Sequence, residues 1–123
     1  MNNIEDNHFL YIETYGCQMN VNDSEVIFSI LADHGYVRTE NMDEADVIMA
    51  NTGSVLDNAE QRIWGRIEHF NLQRRNRKVL VGILGCMAER LKDKLLETGK
   101  VDIVAGPDAY RSLPELLSEA AEG

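Results

Sequence analysis

Short apolar runs alternate with helical patterns along this chain, and that alternation restricts the fold more than any other feature. Residues 9–15, 47–50, 79–84 and 101–105 are rich in β-branched, aliphatic or aromatic side chains and read as strands, and residues 36–38 read as a short edge strand. Helical spacing of Val26, Ile27, Ile30 and Leu31 predicts a helix from about 23 to 34, with Asn22, Asp23 or Ser24 as its cap and Gly35 as its stop. A second helix is expected from Asp57 or Asn58 through Ile63, Trp64, Ile67 and Phe70, a third over 88–97, and a last one over 109–120 with Ser112 and Pro114 as irregularities. Residues 41–45 predict a short helical turn. Parallel strands need crossover connections, and crossovers are right-handed. The expected fold is therefore α/β: a flavodoxin-like three-layer sandwich around a mainly parallel five-stranded sheet of order 2-1-3-4-5.

At 123 residues with 44% hydrophobic content, the chain suits one domain, expected over 9–120 behind a loose tail at 1–8. No stretch approaches the ~20 apolar residues of a membrane helix, and residues 1–8 are polar and acidic, unlike a signal peptide. A cytoplasmic monomer without membrane attachment is expected. Twenty-one acidic against twelve basic residues give a net charge of -9, which argues against a dedicated nucleic-acid-binding module. Arg74, Arg75, Arg77 and Lys78 form the only basic cluster, which reads first as a solvated helix end and second as a local RNA contact.

In the expected strand order, strands 1, 3 and 4 are central neighbours, and ligands of such sheets bind beyond the carboxyl ends of the strands. Cys17, Gly53 and Cys86 each follow one of those ends, flanked by Gln18, Asn20, Asn51, Thr52, Ser54 and Gly85. Topology alone predicts that these three turns converge. A free cysteine is more often a small buried hydrophobe than a ligand, yet both cysteines here sit in Gly-Cys turns at the functional edge. Two facing thiolates could hold a metal or part of an iron-sulfur cluster, or form a disulfide. Two cysteines are a weak metal signal, because a closed site wants about four ligands. His8, His34 and His69 are not at these turns. Gly53 within residues 51–54 could instead let main-chain amides approach a phosphate, making the chain a phosphate- or nucleotide-binding module or an interaction module. A phospho-acceptor receiver is discounted because Asn51 stands where an aspartate would be needed.

Tyr15-Gly16-Cys17-Gln18-Met19-Asn20, Asn51-Thr52-Gly53-Ser54-Val55 with Asn58-Ala59-Glu60 behind it, and Gly85-Cys86-Met87-Ala88 together resemble the N-terminal domain of the radical SAM methylthiotransferases. The resemblance covers nearly the whole chain. Gln18-Met19-Asn20 resembles the tRNA-modifying branch more than the ribosomal-protein branch. The resemblance implies an auxiliary [4Fe-4S] cluster held by three cysteines with one iron open. It also implies methylthio transfer to carbon 2 of an N6-isopentenyladenosine next to the anticodon, with tRNA as substrate. A second [4Fe-4S] cluster and S-adenosylmethionine would belong to a radical SAM barrel domain that partners this one within the same protein.

Carried over by residue, Cys17 and Cys86 are cluster ligands, and Gly53 stands where the family has its third cysteine. Leu56 stands where the family usually has arginine. The radical domain's Cys-x3-Cys-x2-Cys and a C-terminal RNA-binding domain are expected to be absent from this chain, which runs to Gly123. The expectation is a cluster-deficient and, by itself, inactive domain, with Cys17 and Cys86 close enough to bridge or nearly so.

Overall fold

A computed structural model describes residues 8–15, 18–52, 57–75 and 77–122, with the main chain only at 18–20, 57–60, 86 and 87. Five strands, β1 (His8–Thr14), β2 (Tyr36–Arg38), β3 (Val47–Asn51), β4 (Leu80–Leu84) and β5 (Ile103–Ala105), form one sheet. Its order is β2-β1-β3-β4-β5 and every pairing is parallel, as the alternating pattern predicts. The helices are α1 (Gln18–Ala32), α2 (Asp57–Leu72), α3 (Cys86–Arg90), α4 (Lys92–Glu97) and α5 (Leu113–Glu122).

The period-two geometry of a strand splits the core into two layers. Along β3, Val47 and Met49 join Ile27 and Leu31 of α1 and Leu113 and Leu117 of α5. The intervening Ile48 and Ala50 join Ile63, Ile67 and Phe70 of α2, Ala88 of α3 and Leu95 of α4 on the other face. All five residues of β3 are buried, which is why its sequence is an unbroken apolar run ending in a single polar residue, Asn51.

Several boundaries differ from the sequence expectation. Helix α1 starts at Gln18 rather than near Asp23, so Asn22, Asp23 and Ser24 lie inside it. Ser24 directs its hydroxyl to the ends of β1 and β3 instead of capping its own helix. The helix expected over 88–97 is two, broken at Leu91, whose φ of -104 and ψ of 13 leave the helical range. Leu91 packs against the buried cluster beneath α3 and α4. Before α5 the chain takes a 3-10 turn over Pro107–Ser112, and Pro114 falls in the first turn of α5, where its missing N–H costs nothing. Strand β5 begins at Ile103; just ahead of it the Asp102 amide donates to the Val81 carbonyl (2.7 Å) and the Asp102 carboxylate accepts the Val81 amide at 2.9 Å.

The basic cluster is less solvated than expected. Arg77 donates to the carbonyls of Ala45 (2.6 Å) and Met42 (3.0 Å), and Arg74 pairs with Asp102 at 3.2 Å. Lys78 reaches the Ala121 carbonyl at 2.8 Å, and both Lys78 and Arg75 are exposed. These residues precede β4, so they lie at the amino edge of the sheet.

Candidate cluster edge at the carboxyl ends of the strands

Thr14, Asn51, Leu84 and Ala105 are register partners across β1, β3, β4 and β5. One residue further on, the same step repeats on each strand. The Tyr15 amide donates to the Asn51 carbonyl (2.9 Å), the Thr52 amide to Leu84 (2.8 Å) and the Gly85 amide to Ala105 (3.0 Å). The strands therefore end in step at Tyr15, Thr52 and Gly85, the residues that Cys17, Gly53 and Cys86 follow in sequence. Strands about 4.8 Å apart set the ends of β1 and β4 about 10 Å apart across β3.

Cys17, Gly53 and Ser54 themselves lie outside the described residues, as does the side chain of Cys86. The Cys17–Cys86 separation expected from sequence falls outside them too. The Cys86 main chain opens α3 directly after Gly85, and the Gln18 to Asn20 main chain opens α1. Gly85 is buried with φ of 111, a conformation that a side chain would strain.

Two polar networks lie beneath this edge. In the first, Ser24 Oγ is 2.6 Å from Thr14 Oγ1 and accepts the Asn51 side-chain amide at 3.0 Å. Ser24 and Asn51 are buried, so these bonds lie in a medium where a missing partner is costly. Thr52 is also buried, and its hydroxyl donates to the Leu84 carbonyl at 2.7 Å.

The second network centres on Glu13. Arg66 of α2 donates to both carboxylate oxygens, through Nε to Oε1 at 2.9 Å and through Nη2 to Oε2. The hydroxyl of Tyr11 donates to Oε2 at 2.9 Å and that of Tyr15 to Oε1. Burial would push the Glu13 carboxyl up, but the bonds from Arg66, Tyr15 and Tyr11 outweigh it and hold the group below its usual range. Burial, and then the bond to Glu13 and its charge, push both tyrosines up to about 12.

Sequence reasoning selected Asn51, Thr52 and Gly85, and the fold sets all three on this row. It missed Thr14 and Ser24, and it missed Tyr11, Glu13 and Arg66. A carboxylate between two tyrosines at alternate positions of a paired strand was the available signal for Glu13; nothing in the sequence marks Arg66 as its partner. The histidines lie elsewhere: His8 packs its ring 5.5 Å from that of Tyr36, and the His34 ring lies 3.2 Å from the Ile30 carbonyl.

The donors present can be set against a three-thiolate site. The Asn51 amide is bonded to Ser24 and the Thr52 hydroxyl to Leu84. Among the described residues no three His, Cys, Asp or Glu side chains gather to hold a metal. Among the described residues of this row, no side chain is a thiolate that could stand in for a third ligand. The amides of Thr52 and Gly85 are taken up by the sheet ladder, and those of residues 53 and 54, on which the phosphate reading rests, lie outside the described residues. Among the described residues no helix is long and apolar enough to cross a membrane.

Residues 9–106 match the family described as uncharacterized protein family UPF0004. A tRNA-2-methylthio-N(6)-dimethylallyladenosine synthase of Parabacteroides distasonis is 53% identical over 119 residues, covering 96% of this chain and 26% of that protein. Synthases of the same name from Bacteroides fragilis and Flavobacterium psychrophilum are 53% and 54% identical, over 97% and 99% of this chain. The chain spans about a quarter of the length of these relatives (26%). With the family match running through all five strands and the three turns, this chain belongs to the UPF0004 family, the N-terminal domain of the methylthiotransferases.

Proposed function

We propose that residues 9–120 form the auxiliary-cluster domain of a tRNA methylthiotransferase. In this reading a three-thiolate [4Fe-4S] site lies at the carboxyl edge of the sheet, and Cys17 and Cys86 are its two remaining ligands. Gly53 leaves the site one thiolate short. Three thiolates and a vacancy make a reactive iron site, whereas two leave a cluster weakly held. The chain by itself is then cluster-deficient and inactive. Its tRNA substrate, S-adenosylmethionine and second cluster belong to the whole protein, which acts in the cytoplasm.

The observation that supports this reading is the shared register of Thr14, Asn51 and Leu84, the strand ends that Cys17, Gly53 and Cys86 follow in sequence. The names of the relatives supply the chemistry: methylthio addition to a dimethylallyladenosine of tRNA. A transplant tests it. The matching segment of the Bacteroides fragilis synthase is replaced by residues 9–106 of this chain, and methylthio-adenosine in tRNA is measured by mass spectrometry. The chimera carrying Gly53 is expected to leave the tRNA unmodified, and Gly53→Cys is expected to restore the product. Full activity with Gly53 in place would overturn the reading.

A further inference from the structure

The geometry points to Glu13 as the positioning residue of Tyr15, two residues ahead of Cys17 in sequence, an inference that rests on the reading of this edge as the cluster edge. Four donor atoms on three side chains converge on one carboxylate: the Tyr11 and Tyr15 hydroxyls and two nitrogens of Arg66. Arg66 is itself located from below, its guanidinium lying 5.3 Å from the centre of the Phe70 ring, and Phe70 is fully buried. The line of support thus runs from the core of α2 through Arg66 to Glu13, and from Glu13 to the Tyr15 hydroxyl.

Tyr15 is held twice, by this phenol contact and by its amide on the Asn51 carbonyl at 2.9 Å. It is the last described residue before Gly16 and Cys17. Its main chain is held by β3 and its side chain by Glu13, which Arg66 of α2 holds in turn, so both the position and the rotation of Tyr15 are set. Net stability is a poor reason for such an arrangement. A partly buried ion pair offsets much of its attraction by desolvation, and apolar residues of similar shape would serve folding as well. What a bidentate carboxylate with two further donors supplies is direction.

The other two strand ends are held without a charged group among the described residues: Thr52 places both its amide and its hydroxyl on the Leu84 carbonyl of β4, and Gly85 has its amide bond to Ala105. None of these bonds involves Glu13, so loosening Glu13 is expected to act on Tyr15 and to spare Thr52 and Gly85.

The test uses this chain without iron, so its failure is separable from failure of the cluster reading. Amide hydrogen exchange is followed by NMR in Glu13→Gln and in Tyr15→Phe. Exchange of the Tyr15 amide is expected to accelerate about tenfold while the Thr52 and Gly85 amides keep their rates. In the same samples the ratio of Cys17 to Cys86 alkylation by iodoacetamide, read by mass spectrometry, is expected to shift at least about threefold. Arg66→Lys, which keeps a cation opposite Glu13, is expected to restore part of the protection lost in Arg66→Met. An unchanged Tyr15 amide, equal acceleration of all three amides, or an unchanged cysteine ratio would each overturn the inference. If Glu13→Gln does not fold, Tyr15→Phe, which removes one hydroxyl, carries the same comparison.

Discussion

Thr52 grips the carbonyl of Leu84 twice, with its amide at 2.8 Å and its hydroxyl at 2.7 Å. The first bond continues the sheet ladder, and the second is a choice of side chain. Thr52→Val keeps the shape and the ladder and leaves the carbonyl with one donor. A loss of about 1 kcal/mol in unfolding free energy is expected, measured by urea denaturation. No loss would mean that the hydroxyl contributes nothing to the junction of β3 and β4.

Ser24 joins α1 to the ends of β1 and β3 through Thr14 and Asn51. Alanine at this position improves helix propensity slightly but strips a partner from a buried amide. Ser24→Ala is expected to cost about 1–3 kcal/mol, the penalty for an unpaired buried polar group. A neutral or stabilising outcome in the same denaturation experiment would show that the bonds to Thr14 and Asn51 are dispensable.

Much of this fold is legible in the sequence because burial leaves a direct trace. The unbroken apolar run at 47–50 and the stripe of Ile63, Ile67 and Phe70 announce a doubly covered sheet and the helix that covers it. Strand order follows, since handedness and crossover length leave few arrangements. The start of α1 was not legible, because Asn22, Asp23 and Ser24 look like caps and only tertiary contact decides that Ser24 serves the strands. The Glu13 network was hidden for a similar reason. Arg66 is one of several charges on a helix, and its pairing with a residue 53 positions away depends on how α2 lies over β1. The row of strand ends was itself legible from topology; Cys17 and Gly53, which follow it in sequence, lie outside the described residues.

The Glu13 network sets a pH dependence. A carboxyl held below its usual value in the folded state stabilises the fold above the unfolded pKa of about 4.3, and loses that contribution as pH falls through the folded value. The difference in urea midpoint between the parent chain and Glu13→Gln is therefore expected to be largest near neutral pH and to close on acidification. At the alkaline end the sign reverses. Tyr11 and Tyr15, pushed up to about 12, contribute fully below their unfolded pKa of about 10 and lose that contribution as pH rises through about 12. A midpoint difference for Glu13→Gln that stays constant from about pH 7 to about pH 2 would contradict this assignment.

Gly85 takes φ of 111 at the step from β4 into α3, immediately ahead of Cys86. Gly85→Ala forces a Cβ into that conformation, at an expected cost of about 1–2 kcal/mol. The chain is expected to relieve the strain by moving the start of α3, which shifts of the Cys86 and Ala88 amide resonances report. Unchanged resonances with unchanged stability would show that the turn tolerates a side chain.

The central claim is that the row formed by Thr14, Asn51 and Leu84 presents a cluster site short of one thiolate at Gly53. Anaerobic reconstitution with iron and sulfide, with iron counted per chain, tests it most directly. The account predicts substoichiometric, easily lost iron in this chain and about four irons per chain, stably held, in Gly53→Cys. Stable, stoichiometric [4Fe-4S] in the chain as it stands, or no gain from Gly53→Cys, would contradict it.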